Sequence, residues 1–141
     1  MKLMKSFISI AILTISSVGC STPEATPEAQ LEKITLDTRV NILKLSSGMS
    51  KQEVISIMGS ESYSIDEQQI NKPFRSSMYN KNGDMIEIFF YYTELRERDG
   101  KLSDNELTPL VFINGKLDSW GWESWIEKAK RYDINVNYKV N

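Results

Sequence analysis

Apolar residues recur at Leu36, Val40 and Leu43, spaced i, i+4 and i+7, and Ile42 and Leu45 widen the stripe. This spacing predicts an amphipathic helix ending near Leu45. Ser46-Ser47-Gly48 breaks it. Ser50-Lys51-Gln52-Glu53 then fits a capping box, in which the Ser50 hydroxyl accepts from the Glu53 amide and the Glu53 carboxylate reaches back. Met49 and Val54 flank the cap as a hydrophobic staple, Val54, Ile57 and Met58 face the core, and Gly59 closes a second short helix. A polar, irregular stretch follows from Ser60 to Lys72. Phe74 to Tyr79 and Asp84 to Thr93 read as strands joined by Asn80-Lys81-Asn82-Gly83, whose Asn-Gly pair favours a hairpin. Within the second strand Ile86, Ile88, Phe90 and Tyr92 share the face expected to form the core, and Glu87, Phe89 and Tyr91 share the other. Thr108 to Phe112, Asn114-Gly115 and Lys116 to Trp120 give a third strand, a turn and a fourth segment. Glu123 to Arg131 reads as a last helix, and Ile134, Val136, Tyr138 and Val140 alternate with polar residues as a terminal strand would. The expected fold is α+β: two short N-terminal helices packed on an antiparallel sheet of three to four strands, with a short C-terminal helix.

The amino terminus has a different pattern. Lys2 and Lys5 precede a charge-free apolar run from Ser6 to Val18, the length of a signal-peptide core and too short to span a bilayer, which takes about 20 apolar residues. The run ends in Ser17-Val18-Gly19-Cys20, which resembles the lipobox of bacterial lipoproteins, with Ser17 where Leu is usual. Residues 1–19 are therefore expected to be a lipoprotein signal peptide, with cleavage before Cys20 and diacylglycerol and a further acyl chain such as palmitate on that cysteine. A buried cysteine of a membrane helix is the alternative, and the flanks suit it less well. Two or three acyl chains would anchor the protein essentially permanently. Cys20 is the only cysteine, so no intrachain disulfide is possible.

Residues 21–30, STPEATPEAQ, are poor in apolar side chains and hold Pro23 and Pro27, so residues 20–30 read as the lipidated cysteine and an extended spacer. Residues 31–141 suffice for one domain with one core. Removing residues 1–19 takes away two lysines and no acid, leaving 15 basic and 19 acidic side chains, formally −4. That balance offers no electrostatic footprint for nucleic acid.

Leu45-Ser46-Ser47-Gly48-Met49-Ser50-Lys51-Gln52-Glu53-Val54, followed by Ile57-Met58-Gly59, resembles the signature of the SmpA/OmlA lipoproteins, the group that includes the BamE subunit of the outer-membrane barrel assembly machinery. The segment Asn71 to Trp122, with its Asp104-to-Phe112 run, departs from that pattern and resembles a family of small proteobacterial lipoproteins of undetermined function. The resemblance implies a BamE-like two-layer module that binds proteins and does no chemistry. With Ser21 in place of the inner-membrane retention Asp, it also implies the periplasmic face of the outer membrane.

The chemistry the chain can support is narrow. There is no histidine, so Ser-His and Cys-His nucleophiles and the common zinc sets are excluded, and no phosphate-cradling glycine loop occurs. No cofactor is expected apart from the covalent lipid. The acidic run Glu97 to Glu106 overlays the second half of an EF-hand loop, with Gly100 at the turn and Asp99, Asp104 and Glu106 as ligands, but Leu95 falls at its first ligand position. The other reading is an exposed connection with Ser103 capping a helical turn to Glu106. Phe89 and Tyr91, with Trp120, Trp122 and Trp125, form either a second small core under the last helix or an exposed partner-binding surface. The function expected is that of a non-catalytic envelope lipoprotein binding another envelope protein as accessory or scaffold. The rivals are a periplasmic ion-binding or sensing module using residues 97–106 and a carboxylate-based hydrolase of cell-wall glycan, whose two carboxyls would stand about 5 to 10 Å apart.

Overall fold

The computed structural model describes Gly19 and residues 25–65, 67–96 and 102–139. Residues 1–18 of the expected signal peptide, Cys20 and Asp99 lie outside the described residues, as does Val140 at the end of the expected terminal strand.

The first helix, α1, runs from Pro27 to Ile42 and so takes in four residues read from sequence as spacer. The reason is local. Thr26 Oγ1 accepts from the Ala29 N–H at 3.3 Å, Pro27 sits at a helix start where its missing N–H costs nothing, and Glu28 meets the positive end of the helix dipole. Helix α2, Lys51–Met58, carries the expected capping box: the Glu53 N–H donates to Ser50 Oγ at 3.2 Å and the Ser50 N–H donates to Glu53 Oε2 at 2.7 Å. Gly59, with φ +85°, ends it.

The stretch expected to be irregular instead holds a small antiparallel hairpin, β1 (Ser62–Ile65) with β2 (Gln68–Asn71). Ile65 and Ile70 pack with Ile34 of α1 in a cluster of their own, which is enough apolar surface to order a short ribbon. The main sheet has four antiparallel strands in chain order: β3 (Arg75–Lys81), β4 (Asp84–Tyr92), β5 (Leu107–Ile113) and β6 (Lys116–Trp120). Asn82 and Gly83 turn β3 into β4 with φ of +54° and +85°, and Asn114 and Gly115 turn β5 into β6 with +50° and +77°. Both are the left-handed pairs that Asn-Gly hairpins require. Helix α3, Trp122–Arg131, follows.

Both faces of this sheet are covered. Ile86, Ile88, Phe90 and Tyr92 pack with Leu107, Val111, Trp125, Ala129 and Ile134 on the α3 side. Tyr91, Leu110, Phe112 and Leu117 pack with Leu45, Val54 and Met58 on the opposite side. The face of Phe89 and Tyr91 is thus a second core, one of the two readings of the sequence, but α2 covers it and not the last helix.

The sheet's two outer edges end differently. Beside β6, the Gly48 N–H donates to Leu117 O (2.7 Å), the Leu117 N–H to Met49 O (2.8 Å) and the Lys51 N–H to Gly115 O (3.0 Å), so residues 48–51 close that edge. No strand pairs with the outer edge of β3 among the described residues. The expected terminal strand is a correction: residues 134–139 join no ladder. Ile134 and Val136 pack into the α3-side core, which accounts for the alternation in the sequence without a partner strand.

Candidate functional site

The five aromatic residues singled out by the sequence do not form one cluster. Phe89, Tyr91 and Trp120 belong to the α2-side core, and Trp122 and Trp125 to the α3-side core. Gly121, with φ +91°, separates them: it turns the chain between the end of β6 and the start of α3, so that Trp120 and Trp122 fall on opposite faces. Tyr91 and Trp125 are fully buried and cannot meet a partner in this state. Burial first, and the Glu61 charge second, push the Tyr91 phenol well above its ordinary pKa, and its hydroxyl lacks a partner among the described residues.

Trp122 lines a half-open pocket of about 240 Å³ on the α3 side. Its floor is Phe90, Trp122 and Trp125. One wall is the β3 residues Arg75, Ser77 and Tyr79, and the other is Asn135 to Asn137 of the C-terminal segment. Several contacts fix this frame. The Arg75 guanidinium lies 4.3 Å from the centre of the Phe90 ring and donates to Asp104 Oδ1 at 2.6 Å. The second oxygen of Asp104 accepts from the Lys139 N–H at 2.6 Å, and the Asp104 N–H donates to Lys139 O at 3.0 Å. Trp122 Nε1 donates to the carbonyls of Asp104 and Leu107 at 2.9 and 2.7 Å, and its ring meets Tyr138 edge-on at 4.6 Å. At the other end of β3, Lys81 Nζ donates to Asp133 O at 3.2 Å. The segment therefore runs beside β3 from its Lys81 end to its Arg75 end, fastened at both ends.

Two of the three acidic residues read as ligands, Asp104 and Glu106, have other occupations. Ser103 stands at the N-cap of a 3₁₀ turn, Asp104–Glu106, the helical turn of the alternative reading, but the connection is not exposed there: both acids of the turn are buried. Glu106, 1% exposed, accepts from the Arg96 N–H and the Ser103 N–H, both at 2.9 Å. Asp104, 4% exposed, serves Arg75 and Lys139. Both carboxylates thus tie the loop and the C-terminal segment to the sheet. No group of three metal-ligating side chains occurs among the described residues, and the aromatic pocket has no carboxylate in its wall. Another buried acid, Glu87, pairs with Lys51 Nζ at 2.9 Å and helps hold α2 on the sheet.

A second feature lies on α1. The stripe Leu36, Val40 and Leu43 faces solvent, 53%, 45% and 85% exposed, whereas Ile34, Thr35 and Thr38 are buried. Leu43 and Ile42 form one wall of a groove of about 450 Å³ that reaches Trp120, with Arg39 and Glu94 at its rim. Sequence reasoning missed the pocket residues Arg75, Ser77, Asn135 and Asn137, because only the tertiary path of the C-terminal segment brings them together.

A family model described as "Protein of unknown function (DUF3192)" matches residues 16–127. The chain belongs to that family. The DUF3192 match runs through both the Leu45-to-Gly59 motif and the Asn71-to-Trp122 segment, so one family covers what the sequence divided between two resemblances. No curated protein and no solved structure matches the chain.

Proposed function

We propose that this DUF3192 protein is a lipid-anchored cell-envelope lipoprotein, held through Cys20, whose domain binds an extended segment of another envelope protein and does no chemistry. One observation carries the binding reading: among the described residues no strand pairs with the outer edge of β3, past which residues 134–139 run without a ladder, and three of its residues line the aromatic pocket. An added strand gains main-chain hydrogen bonds along such an edge, and an adjoining pocket selects one of its side chains. The signal-peptide pattern before Cys20 supports the anchor. The likeness of Leu45 to Gly59 to the SmpA/OmlA signature supports an accessory role at the outer membrane.

The test is cross-linked recovery of the lipidated protein from envelope membranes. A Ser77→Arg chain, which fills the pocket from its β3 wall, is compared with Asn114→Arg at a distant turn. A discrete partner lost only by Ser77→Arg, with both variants folded, is the expected result. A partner retained by Ser77→Arg, or none recovered, refutes the β3 site. Cys20→Ala is expected to remove the acyl mass and release the protein from the membrane fraction.

A further inference from the structure

We infer that the exposed face of α1 rests on the lipid surface and sets the orientation of the domain on the membrane. This inference rests on the anchor at Cys20 proposed above. The first support is the tether. Six residues lie between Cys20 and Pro27, and at about 3.3–3.6 Å for each of the seven steps the tether reaches no more than about 25 Å. That is close to the length of α1 itself, about 24 Å for its 16 residues. An anchored chain therefore keeps the start of this helix within about 25 Å of the bilayer.

The second support is the composition of the face. Leu36, Val40 and Leu43 point away from the sheet in one line, and Arg39 and Lys44 flank its C-terminal half. Long basic side chains beside an apolar stripe can lay their stems along it and keep their charge at the headgroups. The groove below Leu43 leads to Trp120, a half-buried indole of the kind that settles at the membrane–water boundary.

The third support is size. A stable protein–protein interface takes about 20–30 residues a side, and three apolar side chains with one tryptophan fall far short. A tethered lipid contact needs much less, because the anchor already supplies the effective concentration. With α1 on the lipid, the α3 pocket, on the other side of the sheet from α2, is turned toward the periplasm.

The experiment uses the lipidated protein in vesicles of phosphatidylethanolamine and phosphatidylglycerol. With Cys20 blocked by its acyl chains, Leu43→Cys offers a single thiol for a bimane probe, and Asn114→Cys supplies the reference position. The expected result is quenching by doxyl-labelled lipids about threefold or more stronger at position 43 than at 114. Adding Leu36→Asp and Val40→Asp should bring it to the reference level while the acyl mass stays on Cys20. Equal quenching at 43 and 114 in acylated protein overturns the inference and leaves the anchor standing. A dimer of the lipidated protein in detergent that Leu43→Asp returns to monomer also overturns it, because a second copy would then cover the stripe. Absence of acyl mass on Cys20 overturns the anchor, a failure with its own signature.

Discussion

The two outer edges of the main sheet are built from similar strands and finished in opposite ways. At β6 the chain spends residues 48–51 on three main-chain hydrogen bonds, placing a turn and the start of α2 against the strand. At β3 an extended segment of suitable alternation passes close by and makes no ladder; side chains and its end at Asp104 hold it instead. Exposed edges invite pairing, and proteins commonly block those they do not use. The contrast separates an edge closed by the backbone from one that a segment passes without pairing.

The largest effect that would sharpen this contrast is that of Asp104→Ala. It leaves Arg75 and the Lys139 N–H without their acceptor, and a cost of about 3 kcal/mol is expected. Urea unfolding checks this. Hydrogen exchange should show the amides of 135–139 opening first while Leu117 stays protected, and equal loosening at both edges would break the comparison. Next comes Gly48→Ala, which forces a side chain to φ +91° in the β6 closure and should cost about 1–2 kcal/mol. Ser50→Ala removes the cap of α2 at the same edge, for about 1 kcal/mol; a thermal melt measures each.

The smallest effect is that of pH. Hydrogen bonds from the Ser50 backbone and hydroxyl hold the Glu53 carboxyl below its usual range, and those from Asn114 and Tyr132 do the same for Asp84. Folded pKa values below the unfolded ones mean stability that is complete above about pH 4 and lost as pH falls through the folded values. The stability gap between wild type and Glu53→Gln or Asp84→Asn should therefore narrow from pH 5 to pH 2.5. A gap independent of pH would refute the assignment.

Much of the fold was legible because its signals are local. The Ser50–Glu53 box and both Asn-Gly turns need only their own neighbours, and each forms as read. The orientation of α1 was not legible. Thr35 and Thr38 count as polar in any pattern, yet Thr38 Oγ1 donates to Ile34 O at 2.7 Å and Thr35 Oγ1 to Glu32 O at 2.8 Å, so the threonines satisfy themselves and take the buried side. That leaves the more apolar stripe outside. The terminal alternation is real but serves packing of Ile134 and Val136 and not pairing. The pocket is lined by residues about 60 positions apart, Ser77 and Asn137, which no short window contains.

Gly121 has a practical consequence. By sending Trp120 to one face of the sheet and Trp122 with Trp125 to the other, it gives each face a native fluorophore. A chain keeping only Trp120 would report optically on events at the α1 groove, and one keeping only Trp122 on occupancy of the pocket, with no dye attached to either surface.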